Sequence, residues 1–262
     1  MRIWTLMENS ACRNDLTSEH GLSLYLETDG KRILFDAGQT SAFAENARKL
    51  GVDLKQVDLV ILSHGHYDHA GGLRSFLEIN DHAKIYLSQY AFSACYHGED
   101  RYIGIDPKLK ECGRLVFVEE ELRLDKGLTL YSCNAKEKSY PLDSFGLTVY
   151  SDGAYNPDRF LHEQYLLVEE AGKRILISGC SHKGICNIVQ WFRPDVLVGG
   201  FHFMKLDPEA DSHRLQEAAD ILLASPTVYY TGHCTGEGQY AFLKQRMGER
   251  LHALSAGSYV EV

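Results

Sequence analysis

The chain has 262 residues, 44% of them hydrophobic and 24% charged, with only 6 prolines, which excludes a disordered or fibrous protein and points to a folded globular one. A net charge of −9 excludes the broad basic face that general nucleic-acid binding requires. No run of about 18 apolar residues occurs, and Glu8 interrupts the apolar N-terminus, so the expectation is a cytoplasmic protein with no membrane partner and 7 reduced cysteines.

Residues 22–36 (LSLYLETDGKRILFD) alternate apolar and polar on either side of Asp29-Gly30, a pair suited to positive φ, and predict a hairpin. Phe43, Ala44, Ala47 and Leu50 recur at a helical spacing that stops at Gly51. Residues 57–62 (VDLVIL) are almost wholly apolar, as in a strand covered on both faces, and the polar cluster SHGHYDHAGG follows at once. In residues 80–160 the strand-like pieces AKIYLS, RLVFV, LTLYSC and LTVYS are separated by polar loops. Those loops hold Tyr96, His97, Arg101, Tyr102 and Lys108 and are the expected place for substrate contacts.

Residues 165–180 (YLLVEEAGKRILISGC) then repeat the hairpin, with Gly-Lys-Arg-Ile-Leu at 172–176 as at 30–34. A helical stretch (GICNIVQWF) and a second apolar strand ending in histidine (DVLVGGFH, 195–202) complete the repeat. Hairpin, helix, apolar strand, histidine therefore occurs twice. This predicts one α/β domain over residues 1–262, with two similar halves whose sheets face each other and whose helices lie outside.

Chemistry concentrates at His64, His66, Asp68 and His69, three imidazoles and a carboxylate within six residues directly after a buried strand. In extended chain residues 64 and 66 point the same way and suit one metal; after a turn eased by Gly71 and Gly72, Asp68 and His69 suit a second. Mixed nitrogen and oxygen ligands favour Zn²⁺, Fe, Mn²⁺ or Ni²⁺ over Ca²⁺. Other histidines (His20, His82, His162, His213, His252) lie in polar stretches and read as surface or capping residues.

The H-x-H-x-D-H spacing resembles the hallmark motif of the metallo-β-lactamase superfamily, and Asp36 in Leu-Phe-Asp-Ala-Gly is similarly placed to that superfamily's first acidic motif. GCSHKGICNIV (179–189), GGFHF (199–203) and TGHCTG (231–236) further resemble the branch of dihydropterin-ribofuranosylaminobenzene phosphate synthase-like proteins. The resemblance implies an αββα sandwich and a dinuclear site. His182 would complete the first metal site with His64 and His66, and His233 would join Asp68 and His69 at the second. Asp36 would orient the ligand histidines through hydrogen bonds, the competing reading being a turn aspartate before Gly38. His202 would be the histidine left over, free to donate a proton or bind an anionic group. Where many members have a bridging aspartate this chain has Cys180, either a thiolate ligand favouring zinc or a small residue at a tight turn.

Two divalent transition metals, with Zn²⁺ favoured, would then activate water for hydrolysis of a small anionic phosphoester, phosphodiester or lactone, with Asp68 and His202 catalytic. The alternatives are the pterin-transferring synthase reaction of the named branch and a non-catalytic or redox iron-binding protein.

Overall fold

The computed structural model describes residues 1–262. Two seven-stranded sheets lie at its centre. The first runs, in spatial order, Tyr259–Glu261, Arg2–Met7, Ser23–Thr28, Lys31–Phe35, Leu59–Ile61, Lys84–Ser88 and Leu115–Val118. The second runs Glu121–Asp125, Leu128–Tyr131, Tyr165–Glu170, Lys173–Ile177, Val196–Val198, Val228–Thr231 and Leu251–Ala253.

Alternation along the strands builds the layers. From the first hairpin, Leu24, Leu26, Ile33 and Phe35 enter a core shared with Leu166, Val168, Ile175 and Ile177 of the second sheet. Their neighbours Tyr25 and Leu34 face outward onto Phe43, Ala47, Leu73 and Phe76 of the helices Ala42–Lys49 and Leu73–Ile79. On the second sheet Tyr165, Leu167 and Leu176 face the helices Ile185–Phe192, Ser212–Leu223 and Glu237–Met247. The last two helices were not anticipated. The layering is helix, sheet, sheet, helix, and no helix is long and apolar enough to cross a membrane.

The two halves match in detail. Each sheet has three antiparallel pairings followed by three parallel ones. Thr28 pairs with Lys31 as Glu170 pairs with Lys173, and Ile33 with Leu59 as Ile175 with Val196. Even the entry to the parallel strand is the same: Asp58 accepts the Arg32 N–H and Asp195 accepts the Arg174 N–H, both at 2.7 Å. The histidines do not follow this symmetry. His64 comes three positions after Ile61, whereas His202 comes four positions after Val198 and has left-handed backbone (φ 57°), so it is not the counterpart of His64.

Of the middle region, Lys84–Ser88 and Leu115–Val118 join the first sheet and Leu128–Tyr131 the second, while Leu147–Ser151 joins a separate four-stranded sheet with Ala154–Pro157, Ala94–His97 and Arg101–Tyr102. Lys108 sits exposed in the 3-10 turn Pro107–Glu111, away from the sheet ends.

The strand Leu59–Ile61 ends at Ser63 and His64, His66 is still extended, and Tyr67–Ala70 makes a single helical turn that presents Asp68 and His69. Gly72 lets that turn pass close to the chain after Asp36, since a Cβ there would lie 2.1 Å from the Ala37 carbonyl and 2.5 Å from that of Thr40. Both obstacles are backbone. Gly72→Ala is therefore expected to cost about 1–3 kcal/mol, the usual range for overpacking, read as a lower urea midpoint at unchanged slope. An unaltered midpoint would show that the loop yields freely.

Candidate metal centre

Every predicted ligand lies at the ends of the strands that face each other, and all are buried. Three imidazoles converge on one side. His64 Nε2 is 3.2 Å from His182 Nε2, the His64 and His66 rings are 4.5 Å apart, and the ligand atoms of all three lie within 4.8 Å of one another. His66 Nε2 is buried with no hydrogen-bond partner. On the other side His233 Nε2 is 3.1 Å from His69 Nε2 and 3.2 Å from Asp68 Oδ2, with His69 Nε2 and Asp68 Oδ2 3.8 Å apart. Cys180 Sγ stands between the two sets, 3.1 Å from His69 Nε2 and grouped with His64 as well.

These spacings fit metal ions. Two nitrogens bound at about 2.0–2.1 Å to a tetrahedral ion lie about 3.3 Å apart, and the observed contacts are of that size. Burial also prepares the donors. It lowers His64 and His182 well below the ordinary imidazole range and His66 to about 3, keeping the rings neutral so that one nitrogen of each is free to ligate. Burial would lower His69 too, but the carboxylates of Asp36 and Asp68 outweigh it and raise it to about 9. Burial would raise Asp68, but His69, His20 and His233 hold it well below its usual range.

Asp36 is fully buried, with φ 59°, and its carboxylate accepts the Ser63 N–H and Oγ–H and contacts His69 Nδ1, all at 2.7 Å. It thus fixes the ring that would turn Nε2 toward a metal, and the turn-only reading does not describe it. Ser63 Oγ also lies 2.8 Å from His64 Nδ1. His233, itself at φ 49°, is held by Glu8, which accepts its N–H at 2.6 Å, and by Asn9 Oδ1, 3.0 Å from its Nδ1.

Two histidines read as surface or capping residues contact the centre, one of them buried and the other exposed as expected. His162 is buried; Asp158 binds its Nε2 at 2.9 Å, which leaves Nδ1 to accept the Gly65 N–H at 3.1 Å inside the ligand loop. His20 is partly exposed at the rim, with Nε2 3.4 Å from Asp68 Oδ2 and its ring 4.7 Å from that of His233. His20 has no local sequence signal, since its partner Asp68 comes from a distant segment; His162 has Asp158 four positions before it, but its contact with Gly65 comes from far along the chain. Glu8 did have one: like Asp36, it is an acid immediately after an apolar strand.

A cavity of about 530 Å³ opens over the centre. Its floor includes His66, Asp68, Cys180, His182 and His233, and its rim includes Arg101, Lys205, His97 and His20. Arg101 is steered by a 2.7 Å bond to the Tyr67 hydroxyl. His202 also lines the cavity, its ring 4.2 Å from that of His182 and both its nitrogens without a partner, with Cys180 and Cys234 beside it. Burial opposes ionising Cys234, but the neighbouring Cys180, His202 and His233 pull its thiol pKa down.

The opposing histidine shifts predict a stability optimum for metal-free protein. Unfolded histidine titrates near 6.5, so His64, His66 and His182, which stay neutral when folded, lose stability to the unfolded chain as pH falls from about 6.5 toward about 3. His69 and His162 hold their protons to about 9 and about 10, so their contributions are lost as pH rises above about 6.5; Lys183, lowered to about 8 by burial, acts in the opposite sense only from there upward. Urea midpoints of the metal-free protein should therefore fall on both sides of about pH 6.5, down to about 5 and up to about 8. A flat profile would contradict the assigned proton states.

Comparison with known proteins identifies the family. A family model described as "Metallo-beta-lactamase superfamily" matches residues 16–233. From Methanocaldococcus jannaschii, the protein named MJ0448 is 33% identical over 88% of this chain and 89% of its own length. A second protein of that organism, named 7,8-dihydropterin-6-methyl-4-(beta-D-ribofuranosyl)-aminobenzene-5'-phosphate synthase, is 30% identical over 100% of this chain and 96% of its own. Among solved structures, Tm1679, described as a metal-dependent hydrolase of the beta-lactamase superfamily, superposes with TM-score 0.85 at 31% identity, covering 100% of this chain and 99% of that one. Zn²⁺-bound PqqB from Methylobacterium extorquens shares the fold alone, with TM-score 0.59 at 12% identity and complete coverage of both chains. The chain belongs to the metallo-β-lactamase superfamily.

Proposed function

We propose that this protein is a metal-dependent hydrolase of a small anionic metabolite, working through a dinuclear centre. The observation that carries the reading is the pair of converging donor sets: buried side chains whose imidazole nitrogens face one another 3.1–3.2 Å apart, His64 with His182 and His69 with His233. His64, His66 and His182 would hold one ion, and Asp68, His69 and His233 the other, with Zn²⁺ suited to this donor set. Cys180, within reach of both sets, would serve as a thiolate ligand in the bridging place. When bound, the ions supply a polarised water of lowered pKa and stabilise the oxygen on which charge develops.

The remaining residues handle substrate. Arg101 and Lys205 at the rim attract an anionic group, a phosphoester, phosphodiester or lactone-derived carboxylate, into a cavity of metabolite size. His202 faces the same cavity with both ring nitrogens free, as a proton donor to a leaving group or a ligand to an anion requires. Asp36 keeps His69 in the tautomer that presents Nε2 inward.

A second reading is favoured by one observation: the synthase-named relative matches the chain from end to end. The same ions would then stabilise a departing diphosphate while an aminobenzene ribotide attacks a pterin carbon. A screen with the reconstituted protein separates the two. Release of product from single phosphoesters, phosphodiesters or lactones supports hydrolysis, and turnover only when both a pterin diphosphate and an aminobenzene ribotide are present supports transfer.

Elemental analysis of protein purified without chelator is expected to give about two transition-metal ions per chain at full loading. His64→Ala combined with His66→Ala should remove at least one. Unchanged metal content in that double variant would overturn the ligand assignment.

His202→Ala is expected to keep full metal content and the wild-type circular dichroism spectrum while turnover drops by roughly 10²- to 10⁴-fold, the range for a positioned proton donor. Loss of an ion instead would make His202 a ligand, together with Cys180 and Cys234.

A further inference from the structure

His182 differs from its partners in how its ring is held. His69, His64 and His233 each have an Nδ1 contact, from Asp36, Ser63 and Asn9 respectively, whereas His182 Nδ1 is buried with no partner. A ligand histidine ordinarily needs such a contact to fix its ring. The turn that carries it is also strained, because Ser181, which has a Cβ, has φ 59°. Something else has to hold that turn.

We infer that Glu163 and Lys183 form a reciprocal clamp that positions His182 for metal binding. Glu163 is fully buried, and its carboxylate accepts the N–H of His182 at 2.7 Å, the N–H of Lys183 at 2.9 Å and the Tyr165 hydroxyl at 2.5 Å. Lys183 reaches back the other way. Its side chain is fully buried, and Nζ donates to the Glu163 carbonyl at 2.8 Å and to the Ser132 carbonyl at 2.6 Å. Side chain grips backbone in both directions, so the two segments cannot shift independently. Phe160 completes the hold by stacking on the His182 ring, with centroids 4.5 Å apart and planes at 11°.

A buried lysine and glutamate are expensive, and a turn of this size could be closed by neutral groups. What this pair adds is rigidity at one residue: the N–H groups it anchors belong to His182 itself and to the next position. The clamp does not touch substrate. Glu163 and Lys183 are positioning residues acting through His182, and the inference rests on His182 being a metal ligand.

The test is a two-site zinc titration of the whole chain against a chromophoric chelator, comparing wild type with Glu163→Gln, Glu163→Ala, the double variant Glu163→Gln/Lys183→Met, and His182→Ala. Glu163→Gln retains one acceptor and Glu163→Ala none. The expected result is weakening of one site only, about 10-fold for Gln and about 100-fold for Ala, the range for groups that orient metal ligands. The double variant removes both buried charges together, so it stays folded and shows the same loss at that one site. In metal-free protein the upfield ring-current shift that Phe160 imposes on the His182 Hε1 proton should shrink in Glu163→Gln, which a general loss of stability would not produce. If Glu163→Gln and the double variant bind both ions as tightly as wild type while His182→Ala loses one, the clamp is refuted and the ligand assignment stands. If His182→Ala itself keeps both ions, the ligand assignment fails and the clamp with it. Equal weakening of both sites would also refute it, since the pair would then serve the fold and not His182.

Discussion

A carboxylate removed from water must be met by donors, and in this protein that requirement ties the scaffold to the centre. Asp36 ends a strand of the first sheet with no exposed surface, so its oxygens take the Ser63 N–H, the Ser63 hydroxyl and the His69 ring. The three contacts span the strand end, the start of the ligand loop and its last ligand. Losing the carboxylate would strand buried donors at all three. Glu8 plays the same part for His233 and Glu163 for His182, each an acid beside a strand end that captures the backbone of a ligand-bearing turn. Left-handed backbone at Asp36, Ser181 and His233 lies in these turns. Such strain persists only where surrounding bonds over-determine the chain, and the buried acids supply those bonds.

The duplicated architecture explains why the centre lies where it does. Both sheets carry antiparallel strands on one flank and parallel strands on the other, and parallel strands send all their carboxyl ends to one edge. Facing the two sheets brings those edges together. The first half contributes the whole His64 to His69 loop; the second contributes Cys180 and His182 from one strand end, His202 from the next and His233 from the one after. Symmetric scaffolding has thus been filled with asymmetric chemistry. The extra residue between Val198 and His202 illustrates it, because Gly199 and Gly200 pass so close to Ser178 and Cys234 that side chains there would collide.

Local patterns carried the hairpins, the buried strands, the repeat and the ligand loop, because each depends on residues close together in the chain: Asp29 and Gly30 at the turn, the period of two in residues 22–28, the spacing of His64 and His66. Convergence of His182 and His233 on that loop was legible only through family resemblance. What could not be read were the groups whose meaning comes from distance. His162 has Asp158 four residues before it but looks like a polar-loop histidine until Gly65 closes on it, and His20 meets the centre only because residue 68 folds beneath it. Lys183 appears in Cys-Ser-His-Lys-Gly as an ordinary exposed lysine, yet carbonyls at positions 132 and 163 make a buried ammonium tolerable. Helix Ser212–Leu223 buries Leu215, Ala218, Ala219 and Leu222 at helical spacing, a local signal that the sequence does carry.

Net charge and local charge also have to be separated. A chain of −9 repels anions at long range, yet the cavity rim carries Arg101, Lys205 and two histidines above a floor built to take cations. At physiological ionic strength charges more than about 8 Å apart are largely screened, so the distant carboxylates count for little at the mouth. Two divalent ions would add four positive charges against the ionised Asp68 and, if it ligates, the Cys180 thiolate. The loaded centre is then net positive inside a negative molecule. Such a site draws in small anions that pass within a few ångströms of the rim.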